Sequence, residues 1–227
     1  MQPPRSPTLS LRARGPLAIF TNPALKVERV TYPLITPSAA RGLAEAVLWK
    51  PAIRWEIERI RVLKPIRFTA FRRNEVNSRA VAPSAALVRD GGPAPYQLAD
   101  EDRAQRNTVA LRDVDYVIEA HFEMTERAGP ADNPTKFVEM FRRRVEKGQH
   151  FHQPYLGCRE CVADVVPADD APDPIGDTRD LGWMLHDIEF SADGNRAVFF
   201  QAELRGGVLH VPPREQAVLT AAMGGAS

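Results

Sequence analysis

Between Thr8 and Arg14 the chain alternates Leu9, Leu11 and Ala13 with Ser10, Arg12 and Arg14, a period of two that predicts a strand with one apolar and one basic face. The run AARGLAEAVLW, Ala39 to Trp49, has the apolar spacing of a helix, with Ser38 placed to cap it and Lys50-Pro51 to stop it. From Ile53 to Leu63, IRWEIERIRVL alternates again with a phase slip near Arg59 and Ile60, which predicts a strand carrying a bulge. The stretch VLWKPAIRW is therefore a helix-to-strand connector, and Trp49 and Trp55 are expected in the core between helix and sheet, with a stacking platform for bases as the alternative role. PIRFTAF, Pro65 to Phe71, continues in strand-like fashion. Residues 74–112 show little periodicity and read as an extended, partly flexible insertion.

After that span the regular pattern resumes. Val114 to Met124 sets Tyr116, Ile118, Ala120, Phe122 and Met124 against Val117, Glu119, His121 and Glu123, a strand. Asn133-Pro134-Thr135 starts a helix over about Lys136 to Lys147, with Phe137, Met140, Phe141 and Val145 inward and Arg142 to Arg144 outward. A fourth strand is expected over Cys158 to Val166, then an acidic loop, Asp169 to Asp177, and strands near Trp183–Phe190, Ala197–Leu204 and Val208–Val211, with a Gly206-Gly207 hairpin turn. The order strand, helix, strand, strand, helix, strand is the ferredoxin-like βαββαβ plan of an α+β protein, shared with RNA-recognition (RRM-like) domains. The expected division is residues 1–166 for that domain, with its insertion at about 74–112, and 167–227 for a small C-terminal antiparallel β-sheet with a flexible tail.

Composition narrows the class. Apolar residues make up 44% of the 227, enough for a sizeable core. No window has the apolar length of a membrane span, and the N-terminus lacks the plan of a secretory signal, so a cytoplasmic protein without membrane contact is expected. Lys and Arg total 30 against 29 Asp and Glu, so any affinity for a polyanion must come from clustering. Arginines do cluster, at Arg12/Arg14, Arg59/Arg61, Arg72/Arg73 and Arg142/Arg143/Arg144. At 7%, aromatic content gives little sign of a base-stacking surface. The only cysteines, Cys158 and Cys161, are too few for a disulfide scaffold. With His150 and His152 upstream they have the residue types of a Cys2His2 zinc site, although the spacing between the pairs is shorter than usual. A zinc-stabilised binding domain is thus one alternative reading, while no metal ligand or cofactor is assigned in the main one.

Six short runs together carry a family resemblance: IFTNP (Ile19 to Pro23), KVERV (Lys26 to Val30), TPSAARG (Thr36 to Gly42), WKPAIRW (Trp49 to Trp55), RRNEV (Arg72 to Val76) and LGCRE (Leu156 to Glu160). They resemble the CRISPR-associated "Cas five" family, in the branch of the subtype I-C Cascade surveillance complex, over about residues 8 to 212. The resemblance implies a subunit that binds CRISPR repeat RNA, holds the 5′ handle of the guide among other Cascade subunits, and cuts precursor CRISPR RNA by metal-independent endoribonuclease chemistry. It leaves open contact with target DNA, and also a non-catalytic RNA-binding and assembly role in which another nuclease does the processing.

The chemistry implied is attack of a 2′-OH on the adjacent phosphorus, which requires a proton acceptor, a cation for the phosphorane and a proton for the leaving oxygen. The family pattern supplies these from a tyrosine before Trp-Lys-Pro and a Lys-His pair opening the second helix. In this chain those positions are Leu48, Lys136 and Phe137, so Lys136 alone carries over. His150 and His152 are the candidate substitutes, with His121 another. The expected RNA contacts are Arg12, Arg14, Arg41, Arg72 and Arg73.

Overall fold

The computed structural model describes residues 3–23, 25, 28–93, 95–191 and 194–222. In chain order the elements are β1 (Leu9–Ala18), β2 (Arg29–Val30), α1 (Pro37–Val47), β3 (Ile53–Val62), β4 (Phe68–Val76), α2 (Ala85–Asp90), β5 (Arg103–Met124), α3 (Pro134–Glu146), β6 (Asp164–Val166), β7 (Arg179–Ser191), β8 (Gly194–Arg205), β9 (Val208–His210) and β10 (Val218–Ala222). It is a mixed helix and strand fold, built on one largely antiparallel sheet in the order β10-β8-β9-β3-β5-β1-β6. Strands β2 and β4 add to β5, and β7 adds to β8.

Strand β5 organises the sheet. Its C-terminal half pairs with β1 on one side, Leu11 opposite Ile118, and with β3 on the other, Trp55 opposite Phe122. The phase slip expected near Arg59 is a bulge between Ile57 and Arg59, which lets Ile57 and Ile60 both face the core. The N-terminal half of β5 pairs with β4 from Phe68↔Leu111 to Val76↔Arg103. Much of the span 74–112 is therefore an extension of the sheet: a two-stranded ribbon with α2 near its tip. Both faces of the ribbon carry polar residues, which is why its sequence shows no clear alternation. Asp113, in the left-handed region at φ 54, lies where β5 turns from one set of partners to the other, a conformation its short polar side chain tolerates.

Helices α1 and α3 lie on one face of this sheet. Thr36, two residues earlier than the expected Ser38, caps α1 by accepting a hydrogen bond from the Ala39 amide at 3.3 Å. Pro37 occupies the first turn, where its fixed φ suits the helix and no amide is needed. Asn133 likewise caps α3 by accepting from the Lys136 amide at 2.9 Å, with Pro134 in its first turn. The core between the layers is aromatic: the Trp55 ring lies 5.3 Å from Phe122 and 4.8 Å from Phe141, and its indole N–H donates to the Leu48 carbonyl at 2.9 Å.

Trp49 does not join that core. The chain becomes extended at Leu48 (φ −141, ψ 101), so successive side chains point to opposite sides. Leu48 is 0% exposed and Trp49 is 48% exposed.

The CxxC segment is a turn, and the strand expected from Cys158 starts only at Asp164. The Leu156 amide donates to the Cys161 carbonyl at 2.7 Å, and Gly157 adopts φ +84 with its α-carbon hydrogens against the Ile19 carbonyl, where a Cβ would come within 2.0 Å. Beyond β6, strands β7, β8 and β9 lie near the expected positions, with the turn at Gly206-Gly207, and β10, within the region expected as tail, pairs with β8. This sheet is continuous with the rest through β9, which pairs with β3, Ile60 opposite Leu209.

To reach the far edge from β6, residues 167–177 must cross β1, β5 and β3. They cross on the face away from the helices: Arg61, which points to that face, donates to the Pro172 carbonyl at 3.3 Å, and the Ile175 amide donates to the Val62 carbonyl at 2.8 Å. Val117 and Asp115, also on that face, are 1% and 2% exposed. The acidic, proline-containing segment expected as a loop is thus a strap across the second face of the sheet.

Candidate nucleic-acid interface

The strap decides what the basic strand face can do. Arg12 is turned onto Asp115 in a bidentate pair, Nε to Oδ1 at 2.9 Å and Nη2 to Oδ2 at 2.6 Å. The hydrogen bond to Asp115 pushes the guanidinium pKa further up. Arg12, expected from its alternation as a phosphate contact, is thus engaged by a carboxylate within the protein, with its side chain 17% exposed. Around it the same face is charge-balanced: Arg59 pairs with Glu119 at 2.5 Å, Arg54 with Glu123 at 2.9 Å, and His121 bonds Glu58 at 2.7 Å. His121 is bonded to Glu58 on the face of the sheet away from the helices, apart from Lys136 in the first turn of α3.

The other expected contacts divide by exposure. Arg14 pairs with Asp164 at 2.7 Å, but both side chains are about half exposed, so a phosphate competes with the carboxylate at little cost. Arg41 is held by Asp187 at 2.7 Å, between α1 and β7. Arg73 belongs to a cluster on the inner face of the ribbon, bonded to Glu75 at 2.5 Å and to Glu160 at 3.4 Å, while Arg29 also reaches Glu75 at 3.1 Å. Arg72, one residue earlier and on the outer face, is exposed and forms no ion pair with the described residues. Opposite it stands Asn107, followed by the pair Asn74 and Gln105, all exposed. This outer ladder offers one cation without an ion-pair partner among the described residues and the side-chain amides of Asn74 and Gln105, while the Asn107 amide donates to Glu28 at 3.3 Å.

A second surface lies around the end of α1 and the start of α3. Lys136 bonds Asp132 at 2.8 Å and is 44% exposed. That hydrogen bond, with one from the Gly129 amide and the nearby charge of Lys50, holds the Asp132 carboxyl below its usual range. Lys50 and Lys136 therefore flank one carboxylate. Next in the chain to Lys50, the exposed Trp49 ring lies 6.0 Å from that of Phe151, and Phe151 lies 5.8 Å from His152. The backbone of this segment is fixed to α1, with the Phe151 amide donating to the Ala46 carbonyl at 2.6 Å. Arg144 does not point freely outward: it closes the end of α1 by donating to the Val47 carbonyl at 2.7 Å. Arg142, Arg143 and Lys147 remain exposed.

Lys50, Trp49 and Phe151 adjoin one another beside the end of α1, with Lys136 in the first turn of α3 and His152 beyond its last turn. His150, also exposed, lines a neighbouring groove with Arg144, Gln153 and Asp164. Leu48 and Phe137, which hold the positions of the family's tyrosine and histidine, are 0% and 2% exposed, and the Phe137 ring packs on Phe122 at 6.2 Å. Trp49, expected in the core, lies at the surface, and Phe151 joins it there. The signal available was Lys50-Pro51: a chain forced out of a helix alternates its side chains, and only one of Leu48 and Trp49 goes inside.

The zinc reading fails on geometry. Among the described residues no group of three or more His, Cys, Asp or Glu side chains converges as a cation site. Cys158 Sγ lies 3.8 Å from the Ile19 carbonyl and from Arg29 Nη1, while Cys161 is only 5% exposed and its thiol is pushed up to about 11. Desolvation is the main cause. At pH 8 Cys161 stays a thiol, so iodoacetamide is expected to modify Cys158 and leave Cys161 intact in the folded chain. Equal labelling of both in a mass-spectrometric time course would contradict this burial.

Comparison with known proteins places this arrangement. The chain is 50% identical over 214 residues to the "CRISPR pre-crRNA endoribonuclease Cas5d" of Mannheimia succiniciproducens, covering 90% of this chain and 95% of that one. It is 40% identical over 222 residues to the protein of the same description from Thermus thermophilus, covering 90% and 91%. The solved structure described as "Crystal Structure of CRISPR-associated Protein" superposes with a TM-score of 0.70 at 21% identity, over 97% of this chain and 100% of that one, which shows a shared fold. Residues 8–212 match the family Cas_Cas5d, described as "CRISPR-associated protein (Cas_Cas5)", and the chain belongs to that family.

Proposed function

We propose that this protein binds the repeat of precursor CRISPR RNA, cuts it without a metal ion, and then holds the repeat-derived 5′ handle of the guide within a Cascade-type complex. The observation that carries this reading is the 50% identity, across nearly the full length of both chains, to a protein described as a CRISPR pre-crRNA endoribonuclease. Within it, strands β6-β1-β5-β3 with α1 and α3 on one face are taken as the ferredoxin-like βαββαβ unit, residues 1–166, and residues 167–227 as the smaller C-terminal sheet. An RRM-like unit commonly offers its open sheet face to RNA. Here the strap covers that face, so the RNA is assigned to the outer ribbon ladder and to the surface around Lys136.

In the reaction the 2′-oxygen bonds to phosphorus, the bond from phosphorus to the 5′-oxygen breaks, and a 2′,3′-cyclic phosphate and a 5′-hydroxyl result. Lys136 neutralises the phosphorane, and an imidazole, His152 or His150, takes the 2′ proton and returns one to the departing oxygen. A second reading, an RNA-holding subunit that does not cut, is favoured by the burial of Leu48 and Phe137 at the positions where the family pattern has proton-transfer groups. Incubation with end-labelled repeat RNA in excess EDTA separates them. One cut leaving a cyclic phosphate supports the first reading, and tight binding without cleavage supports the second.

The binding surface has its own test. Affinity for repeat RNA is expected to fall steeply with salt, and Arg72→Ala is expected to flatten the log–log slope by about 0.7–1, the release from one phosphate. An unchanged slope would remove the ribbon ladder from the interface.

A further inference from the structure

Trp49 and Phe151 are 48% and 62% exposed, yet their rings contact each other, 6.0 Å between centroids and tilted by 31°. Trp183 and Phe190 are exposed as well, at 54% and 76%, but neither has a ring partner among the described residues, so the contact between Trp49 and Phe151 is what distinguishes this pair. The pair is also rigidly mounted. Leu48 is locked into the core and its amide donates to the Ala44 carbonyl at 2.9 Å, while the Phe151 amide is tied to Ala46. Little conformational freedom is left to lose when something lands on these rings.

The surroundings say what lands there. An open groove of about 740 Å³ runs beside Trp49, lined by Lys50, Arg54 and Arg127 as well as Glu123 and Glu126. Glu123 is already bonded to Arg54, and on the other side Asp132 is bonded to Lys136. The cations Lys50 and Arg127 bond no described carboxylate and Glu126 bonds no described cation, so one positive charge is left over in the groove beside Trp49. A flat π surface flanked by ammonium groups fits an unpaired nucleobase with its attached phosphate, whereas an apolar protein surface would leave those lysines without partners.

We propose that Trp49 and Phe151 form a stacking platform for one unpaired base of the repeat RNA, setting the neighbouring phosphate toward Lys50 and Lys136. This rests on the RNA-binding reading above, and it assigns the rings a positioning role, not a proton-transfer one. A base stacked on Trp49 need not be of one identity, because every base presents a π face. The platform therefore fixes register along the strand and leaves sequence choice to hydrogen bonds elsewhere.

Tryptophan fluorescence reads this directly. In a Trp183→Phe background the remaining tryptophans are Trp49 and the buried Trp55, so quenching by added repeat RNA reports on Trp49. Quenching is expected, together with a loss of affinity of roughly 5- to 150-fold in Trp49→Ala and of much less in Trp49→Phe. In a scan of repeat RNAs each carrying one abasic site, one position is expected to weaken binding to the parent chain but not further weaken binding to Trp49→Ala. Phe151→Ala provides a second variant that leaves the Leu48–Trp49 backbone untouched. RNA binding of wild-type strength by Trp49→Ala and Phe151→Ala, with no quenching, would overturn the platform while leaving the RNA-binding reading intact. Failure of the unmodified chain to bind repeat RNA at all would overturn both.

Discussion

Asp115→Ala is expected to lower the unfolding free energy by about 3–5 kcal/mol, the usual consequence of removing one partner of a buried ion pair. Asp115 is 2% exposed, and both its oxygens accept from Arg12, itself only 17% exposed at the side chain. Deleting the carboxylate strands a guanidinium under the strap of residues 167–177, where water reaches it poorly. Against a total stability of about 5–15 kcal/mol, such a loss brings the chain close to unfolding. Replacing both members at once, Arg12→Met with Asp115→Leu, is expected to recover most of the loss, because the desolvation cost of two charges disappears with their attraction. Urea denaturation followed by tryptophan fluorescence measures the four states of the cycle. A cost under about 1 kcal/mol for Asp115→Ala would mean that the pair is solvated and that the strap does not seal this face.

The same pair shows why part of the interface is illegible in the sequence. The alternation of Leu9, Leu11 and Ala13 with Arg12 and Arg14 correctly indicates a strand with a polar side, but polarity there does not mean exposure. The partner that neutralises Arg12 lies 103 residues away, and the strap that covers both comes from beyond β6. No local pattern reports either. Arg73 departs from expectation for a similar reason, since Glu75 and Glu160 claim it from the ribbon and from the CxxC turn. Where the determinant is local, expectation and structure agree: the bulge falls between Ile57 and Arg59, and Gly206-Gly207 turns the β8–β9 hairpin, although α1 stops at Val47, two residues short of the expected Trp49. The ribbon escapes a sequence reading as regular structure because neither of its faces is buried along most of its length, so hydrophobic periodicity has nothing to follow.

Lys136→Ala is expected to slow repeat cleavage in EDTA by roughly 10²–10³-fold, the scale of losing one preorganised group that stabilises developing charge. RNA binding should change far less, because Lys136 is one cation among several on its surface. His152→Ala is expected to cost roughly 10²–10⁴-fold, the range for a proton-transfer group. His150→Ala should cost little, since His150 faces the separate groove with Arg144 and Asp164. The ordering rests on placement: His152 follows Phe151, which packs on the exposed Trp49, whereas Phe137, to which the resemblance assigns the histidine's position, is sealed against Phe122. Single-turnover cleavage with each variant, beside its RNA affinity, checks the assignment. Equal rates for His152→Ala and the unmodified chain would exclude that imidazole as the base, and loss on Lys136→Ala alone would leave the lysine as the inherited centre. Phe137→His is not expected to restore activity by itself, because an imidazole there replaces a buried ring in the Trp55, Phe122 and Phe141 cluster and has no path to the strand. If it did raise the rate in a folded chain, RNA binding would have to open that cluster, and the reacting phosphate would then lie deeper, between α1 and α3, than the exposed lysines now indicate.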